Sequence, residues 1–453
     1  MATKQNLRIL ISTGHLGTAP SAPESFHRGM DTNPDYVVAD AGSSDPGPVY
    51  LGEDIRMGHF DREELELLLT ASRKKGIPLI VGSARDAGTN AGVDEFVGII
   101  KDVALQHRIP KFKVGYFYSE VPREFVKRKL KENGAIAGLG GFGALTEEEL
   151  EKTTRVVAVA GVHPFMKLLD MGADVIIAGR CGDITFTAAP CIRAGFPEAL
   201  AYHMGKMIEC ASLVAEPFMG KETVIGTISQ EDIKITPYHP DQRCTIASVA
   251  GHSMYERDNP FYEYTLGGMI DMSNCSYAQH DERTCRISGA TWAPAKELRV
   301  KIEGAKKVGE RYMGFAGIRD PHLVRNVDKV VEWSRASTAR IFGKDRYELF
   351  FHVFGKNGVL KELEPVKDSK AHELGVVVEV VADDDALAQK ITDFALRMFF
   401  FARIPGVKGT AGAAATTRLP MRATPGYQWT VNHTMRIEDP MQLFPVHMTD
   451  AGI

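Results

Sequence analysis

Short runs of aliphatic residues alternate with amphipathic stretches along the first half of the chain. The stretch REELELLLTASRKKG (62–76) carries its apolar residues at helical spacing. Apolar runs without polar alternation are typical of strands buried on both faces, and helices of this length connect parallel strands. The pattern predicts a parallel-sheet α/β domain over residues 1–222. The apolar runs include LRILIS (7–12), DYVVAD (35–40), IPLIVGSA (77–84) and GADVIIAGR (172–180).

The pattern changes from about Thr223 onward. Segments such as TVIGTISQEDIKITPY (223–238) and YELFFHVFGKNG (347–358) have strand character, and helical stretches such as 385–404 are fewer. Strands and helices that are mixed without regular alternation are typical of α+β domains. We therefore predict a second, α+β domain over residues 223–453 that contributes to a cleft.

Composition and charge narrow the class of ligand. The chain has 453 residues, enough for two domains, and its 54 basic and 58 acidic residues give a formal net charge of −4. Neither sign is collected in a long block, which argues against nucleic acid or an anionic membrane surface as the partner. The sequence favours a small-molecule ligand.

The N-terminal sequence and the pattern of cysteines predict a cytoplasmic location. The N-terminal apolar run is shorter than a signal peptide requires, and no stretch approaches the ~18 apolar residues of a membrane span. The cysteines are widely spaced and form no C-x-x-C pair, so we predict reduced thiols rather than disulfides or a thiolate zinc site. They are Cys181, Cys191, Cys210, Cys244, Cys275 and Cys285.

Several predicted strands end in a polar, glycine-containing turn. These turns are TGHLGTAP (13–20), ADAGSSDPGP (39–48), GSARDAGTN (82–90) and AGRCGD (178–183). In open parallel sheets, ligands bind outside the carboxyl ends of the strands, where such loops converge. The first turn lacks the third glycine of a dinucleotide fingerprint, so we expect no NAD. We predict a binding site for a small molecule at this edge.

Asp40 is the leading candidate in the second turn. A charge at the end of a buried strand is costly unless it is used, which favours a role as acid, base or divalent-metal ligand. Ser43 and Ser44 offer donors to an anion. Asp45 is either a second ligand for Mg²⁺ or another divalent ion, or a residue that caps its own turn before Pro46.

Two arginines follow later strands. Arg85, with Ser83 beside it, is suited to hold a substrate carboxylate, although an arginine on a loop is often simply solvated. Arg180 lies three residues before Asp183, so it either clamps a carboxylate while Asp183 orients the reacting group, or forms an ion pair with Asp183 that locks the loop.

The segment HPDQRCTIASVAGHSMYERDNPF (239–261) combines many polar residues. Thr245, Ser248, His252 and Tyr255 have spacings that share one helical face, and we predict that they point into one pocket with His252 as general acid or base. Arg243 is a secondary substrate-binding candidate. Cys244 as a nucleophile would need a lowered pKa, for which the sequence offers little support.

The chain resembles the acyclic terpene utilisation family known as AtuA. The likeness rests on motifs in order along the chain, including TGHLGTAP, ADAGSSDPGP, AGVHPFMKLLDMGADVIIAGR, PDQRCTIASVAGHSMYE, GIRDP and DPMQLFP. The resemblance implies a role connected with terpene-degradation gene clusters. It also implies a small partner protein that is encoded beside the large chain in related systems.

These observations lead to three hypotheses. The first is an enzyme that hydrates, dehydrates or isomerises a small carboxylated metabolite or its coenzyme A ester, working as a homo-oligomer. The second is a hydrolase with Cys244 or Ser248 as nucleophile, and the third is a non-catalytic large subunit for a small partner. For the first, the predicted catalytic residues are Asp40, Asp183 and His252; the substrate-binding residues are Ser43, Ser44, Ser83, Arg85, Arg180 and Arg243; and the metal ligands are Asp40 and Asp45.

Overall fold

The chain is divided into two compact units. The computed structural model describes residues 4–44, 46–55, 58–368, 370–409, 412, 414–417 and 419–453. The first unit comprises Met1–Ala305 and Trp429–Ile453, and the second comprises Lys306–Gln428. The second unit therefore interrupts the sequence of the first.

The strands and helices are numbered in chain order. The strands are β1 (Leu7–Ile11), β2 (Tyr36–Asp40), β3 (Leu79–Gly82), β4 (Phe112–Phe117), β5 (Ala137–Gly138), β6 (Arg155–Ala158), β7 (Val175–Ala178), β8 (Val224–Ile228), β9 (Ile233–Pro237), β10 (Tyr262–Thr265), β11 (Gly268–Asp271), β12 (Ser276–Gln279), β13 (Cys285–Ser288), β14 (Thr291–Pro294), β15 (Arg299–Ile318), β16 (Tyr347–Phe354), β17 (Leu374–Ala382), β18 (Ala415–Thr416), β19 (Met421–Arg422), β20 (Gly426–Arg436) and β21 (Val446–Ala451). The helices are α1 (Pro23–Asp31), α2 (Pro48–Gly52), α3 (Asp61–Lys75), α4 (Asn90–Gln106), α5 (Arg123–Asn133), α6 (Glu147–Lys152), α7 (His163–Asp170), α8 (Thr185–Arg193), α9 (Glu198–Ile208), α10 (Ile246–Met254), α11 (Pro321–Arg325), α12 (Val327–Phe342) and α13 (Asp385–Phe400).

A large sheet forms the centre of the first unit. Its strand order is β12-β13-β9-β8-β1-β2-β3-β7-β4-β21. The five strands from β1 to β4 in this order pair in parallel, and the flanking strands on both sides pair antiparallel. The predicted α/β class with a parallel sheet is confirmed. Four of these parallel strands, β1, β2, β3 and β7, are apolar runs identified in the sequence.

Helices cover both faces of this sheet because successive strand residues point to opposite sides. On one face, Leu10 and Val81 pack with Phe96 of α4 in a buried cluster. On the other face, Ile11 and Ile80 pack in a second buried cluster that includes residues of α7, α8 and α9. Both faces being apolar explains why the strands lack polar alternation.

The first unit contains two further groups of strands. β10, β11 and β14 form a small antiparallel sheet. Residues Ile302–Ala305, the part of β15 nearest the boundary of the first unit, pair antiparallel with β6. This pairing brings Glu303 into the interior, where it is 3% exposed.

The second unit is built around three antiparallel strands. β16 pairs with β17, which pairs with the later part of β15. Helices α12 and α13 share a buried core with these strands, including Val330, Val378 and Ile391. β18 and β19 also pair with β15.

The observed division differs from the predicted domain limits. The predicted boundary after residue 222 falls within the first unit, because β8 continues the central sheet by pairing antiparallel with β1, with Ile9 opposite Gly226. All six cysteines are free thiols. Among the described residues, every helix is too short or too polar to span a membrane.

Candidate functional site

Loops that follow the parallel strands meet at the carboxyl edge of the sheet. The amide of Leu16, after β1, donates to the carbonyl of Asp40 at 2.8 Å. Beyond β2, the carbonyl of Ala41 accepts from the amide of Asp86 at 3.0 Å, and Gly88, after β3, accepts from the amide of Arg180 at 3.0 Å. The backbone therefore joins the predicted loops into one surface.

Two glycines allow these loops to approach so closely. A Cβ atom on Gly42 would lie 2.1 Å from the Cα of Asp86, and one on Gly88 would lie 2.2 Å from the amide nitrogen of Arg180. Gly88 also has a φ of +62°, which side chains with a Cβ rarely adopt. Close backbone packing at these positions holds Asp40 and Arg180 near each other.

Two adjoining cavities open at this edge in the first unit. The larger has a volume of about 1050 Å³ and the smaller about 640 Å³. We call them the first and the second cavity. Ser43, Asp183, Glu209 and Glu256 line both, so the cavities meet at an acidic wall.

Asp40 lies at this wall with little to stabilise a negative charge. Its side chain lines the second cavity, the residue is 6% exposed, and its Oδ1 accepts a 3.2 Å hydrogen bond from the amide of Gly42. Burial raises the pKa of Asp40 well above its ordinary value, and the charges of Asp183 and Glu209 raise it further. Asp40 therefore holds its proton at a pH where an ordinary aspartate is ionised.

Arg180 is buried beside Asp183 and engaged on several sides. Its Nε donates to Glu303 at 2.9 Å, and its Nη1 lies 3.4 Å from Oδ1 of Asp183. Burial acts to raise the pKa of Glu303, but Arg180 and Lys301 lower it to about 2. The ion pair of Arg180 with Asp183, predicted as one alternative, is present, and Glu303 is an additional partner.

Glu209 and its neighbours complete the wall. The Nζ of Lys206 donates to Oε1 of Glu209 at 2.5 Å, and the hydroxyl of Tyr255 lies 3.4 Å from the same oxygen. Burial raises the pKa of Glu209 to about 8; Lys206 opposes this rise and Asp183 adds to it. The thiol of Cys210 lies 2.9 Å from the Tyr255 hydroxyl.

This arrangement suits proton transfer. Three carboxyl groups, those of Asp40, Asp183 and Glu209, interact electrostatically at the junction of two cavities. Burial and mutual repulsion disfavour simultaneous ionisation of these groups, so a protonated carboxyl can lie beside an ionised one. A general acid and a general base are thus available together.

The predicted serines lie around the same edge. Ser43 lines both cavities. The Oγ of Ser44 accepts from Nη2 of Arg180 at 3.4 Å, and the Oγ of Ser83 lies 3.4 Å from Nη1 of the same side chain. Ser83 also accepts from the amide of Cys181 at 3.2 Å, which fixes the start of the loop after β7.

Arg85 and Arg243 are engaged elsewhere. Arg85 forms ion pairs with Asp54, at 2.6 Å, and with Glu95. The Arg243 side chain is 62% exposed and lies 3.5 Å from Glu216. Among the described residues, neither arginine belongs to the lining of the two cavities.

His252 lies next to Tyr255 and does not line either of the two cavities. The two rings stack with their centroids 4.6 Å apart. Burial lowers the pKa of His252 to about 4, and the charges of Lys206 and Arg257 act in the same direction. At neutral pH the ring is therefore uncharged, and its contact supports Tyr255.

The other members of the predicted polar face have structural roles. Thr245 caps α10 by accepting from the amide of Ser248 at 3.1 Å, and the Ser248 side chain accepts from the amide of Thr245 at 3.0 Å. Cys244 is fully buried, and this burial raises the pKa of its thiol. These surroundings offer no support for the hydrolase hypothesis.

The structure describes only one of the two predicted metal ligands, Asp40. Asp45 lies outside the described residues. Within the described part of the chain, no three His, Cys, Asp or Glu side chains form a group that is suited to hold a metal ion. A divalent ion at Asp40 and Asp45 stays a prediction.

Sequence reasoning missed Lys206 and Glu209. Both lie in or just after α9, whose residues Ala199–Ile208 are all buried. A lysine and a glutamate three positions apart within the otherwise apolar run AYHMGKMIEC would have signalled a buried ion pair, because such residues are seldom buried alone.

Comparison with known proteins gives one match. The family model described as "Acyclic terpene utilisation family protein AtuA" matches residues 7–437 of the 453-residue chain. No curated protein and no solved structure matches. The matched range includes every described residue named in the acidic wall.

Proposed function

Because the chain belongs to the acyclic terpene utilisation family AtuA, we propose that it is a catabolic enzyme. The proposed reaction is the hydration, dehydration or isomerisation of a small carboxylated metabolite or its coenzyme A ester. The family description supports the catabolic setting. The type of reaction rests on the acidic wall between the two cavities.

One observation carries the proposal. Asp183 and Glu209 line both cavities and Asp40 lines the second, and Asp40 keeps its proton above the ordinary aspartate range because of burial and of the neighbouring carboxylates. Asp183 is more exposed, with 37% of its side chain accessible, and is held by the charge of Arg180. A protonated and an ionised carboxyl group beside each other suit acid–base catalysis.

The proposed step can be written for a β-hydroxy acid derivative. The Asp183 carboxylate removes the α-proton, and the electron pair of the broken C–H bond forms the C=C bond. The C–O bond breaks, and the departing oxygen takes the proton of Asp40 to leave as water. Asp183 ends protonated and Asp40 ionised, so one proton returns from Asp183 to Asp40 before the next turnover. Hydration is the reverse.

Basic residues of the first cavity support a negatively charged substrate. Arg299 and Lys301 line this cavity with 48% and 43% of their side chains exposed. They form ion pairs with Glu297 and Glu303, but their exposed donors leave capacity for a carboxylate or phosphate. In this proposal Arg180 orients Asp183, since its own donors already have acceptors on several sides.

A ligand screen followed by an exchange assay tests the proposal. Carboxylates, terpenoid acids and their coenzyme A esters, each with and without Mg²⁺, are screened for a rise in melting temperature. A ligand at 100 times its Kd stabilises the fold by about 2.7 kcal/mol. Ligands that raise the melting temperature are then incubated with the protein in D₂O, and we expect NMR to show deuterium at their α-carbon. If no compound in the panel raises the melting temperature, the result would favour the hypothesis that the chain is a non-catalytic subunit.

We expect turnover to fall as the pH rises through about 8. The pKa of Glu209 is raised to about 8, so its carboxyl is neutral below this pH and becomes ionised above it. The added negative charge at the wall repels a carboxylated substrate and opposes developing negative charge. The pH profile of kcat/KM measures this decrease in activity, and the Glu209→Gln variant should not show it. If the variant shows the same decrease, another group is responsible for the titration.

A further inference from the structure

The second cavity contains a hydroxyl group that the proposed proton transfer does not use. Tyr255 lines this cavity together with Glu209, Cys210 and both carboxyls of the proposed acid–base pair. Its hydroxyl lies 3.4 Å from Glu209 and 2.9 Å from the Cys210 thiol. The hydroxyl is therefore positioned at the same wall as the reacting groups.

The Tyr255 ring is held firmly by its neighbours. The Nζ of Lys206 lies 4.1 Å from the ring centroid, and the His252 ring stacks on it at 4.6 Å. Burial raises the pKa of Tyr255. The hydroxyl thus stays protonated and is available as a hydrogen-bond donor.

Glu209 provides a second donor beside it. Its pKa is raised to about 8, so below that pH its carboxyl carries a proton. A tyrosine hydroxyl paired with a carboxylic acid that its surroundings keep neutral is a known arrangement for stabilising an enolate. A neutral Glu209 suits an anion here, because a second carboxylate beside Asp183 would add to the repulsion.

We propose that the second cavity binds the carbonyl group of the substrate, with the Tyr255 hydroxyl and the neutral Glu209 carboxyl donating hydrogen bonds to the oxyanion that forms there. This inference rests on the proposed function. When Asp183 removes the α-proton, the electron pair of the C–H bond first forms a C=C bond to the carbonyl carbon, and the carbonyl π pair moves onto oxygen. When this oxyanion collapses, the C=O bond re-forms, the electron pair moves into the bond between the α- and β-carbons, and the β C–O bond breaks as Asp40 protonates the departing oxygen. The substrate class is thereby narrowed to carboxylated metabolites and coenzyme A esters whose carbonyl group can form an enolate.

The surroundings of the second cavity fit this use. Asp40 and Asp183 both line it, so a carbonyl placed there brings its α-carbon within the group of carboxyls. Leu213 and Phe218, which also line it, are 51% and 65% exposed and give the opening an apolar border. The remainder of a charged substrate can then extend past Asp183 into the first cavity.

Binding of 4-nitrophenol tests the inference without requiring turnover. Its phenolate is a planar oxyanion that resembles an enolate, and its absorbance spectrum differs from that of the neutral phenol. We expect the full-length protein, one pH unit below the pKa of the free probe, to bind it with the phenolate spectrum. Loss of one hydrogen bond to a charged group weakens binding about tenfold to a hundredfold. Tyr255→Phe should show this loss in Kd.

Two further variants make the test decisive. Tyr347 belongs to β16 in the second unit and is not among the residues that line either cavity, so Tyr347→Phe should bind the probe as the unmodified chain does. Leu213→Trp, a change at an exposed position, should obstruct the opening and block binding even if Tyr255→Phe does not fold. Absence of binding, a neutral-phenol spectrum, or equal affinity in Tyr255→Phe would overturn the inference. The proposed function is judged separately, by deuterium exchange and by the Asp40 variant described below.

Discussion

Replacing Asp40 by asparagine is expected to lower turnover by about a hundredfold to ten-thousandfold while leaving the melting temperature nearly unchanged. A positioned general acid contributes about 10²–10⁴ in rate, and the asparagine amide has no proton of suitable acidity to give. The fold should tolerate the change because a protonated aspartate and an asparagine are both neutral and similar in size. Steady-state kinetics and a melting curve on the same preparation provide the measurement.

The matched control for Asp40→Asn is Asp102→Asn. Asp102 belongs to α4, and its side chain is 69% exposed. This variant should keep both turnover and melting temperature. Full activity of Asp40→Asn would remove Asp40 from the mechanism. Inactivity with gross unfolding would give it a structural role instead.

Glu303→Gln is expected to reduce the free energy of unfolding by about 3–5 kcal/mol, because it removes the closer carboxylate partner of the buried Arg180 and leaves only the 3.4 Å pair with Asp183. Arg180 and Glu303 are 5% and 3% exposed, and they are 2.9 Å apart. Urea unfolding at neutral pH measures the loss. Glu297→Gln, at a side chain that is 46% exposed, should change stability by less than about 1 kcal/mol.

The difference between the unmodified chain and Glu303→Gln should also depend on pH. The pKa of Glu303 is about 2 in the folded state, below its ordinary value of 4.5. A lowered pKa means that the stabilisation is complete above the unfolded value and is lost as the pH falls towards the folded one. The free energies of unfolding of the unmodified chain and of Glu303→Gln, each plotted against pH, should therefore converge between about pH 4.5 and 2. Parallel pH dependence would show that Glu303 is not the titrating group.

The parallel part of the fold was predictable because its signal is local. The strands β2, β3 and β7 are unbroken apolar runs, and the helices between them show regular spacing. The antiparallel additions carry no such signal. β8 lies beside β1, and β21 lies beside β4, through pairings between residues more than 200 positions apart. The spacing of apolar residues predicts that a segment forms a strand, but it does not predict which strand lies next to it in the sheet.

The site was predictable where a residue follows a strand directly. Asp40, Arg180 and Asp183 were identified in this way, and the structure brings them together. Arg85 follows β3 equally closely, but its backbone has a φ of +51° and its side chain pairs with Asp54 and Glu95. Side-chain direction at a loop depends on backbone conformation and on partners distant in sequence. Tyr255 was expected to point into a pocket, but the position of that pocket at the wall, like that of Glu209, depends on how separate elements pack in the folded chain.

The interrupted sequence of the first unit has a consequence for synthesis. The second unit is one continuous stretch, Lys306–Gln428, and all of its residues leave the ribosome before Trp429–Ile453. Until β21 is translated, the outer edge of β4 lacks its partner, and exposed edges of this kind promote aggregation. We therefore expect the second unit to fold first during translation, while the nascent first unit depends on chaperones until its final strand emerges.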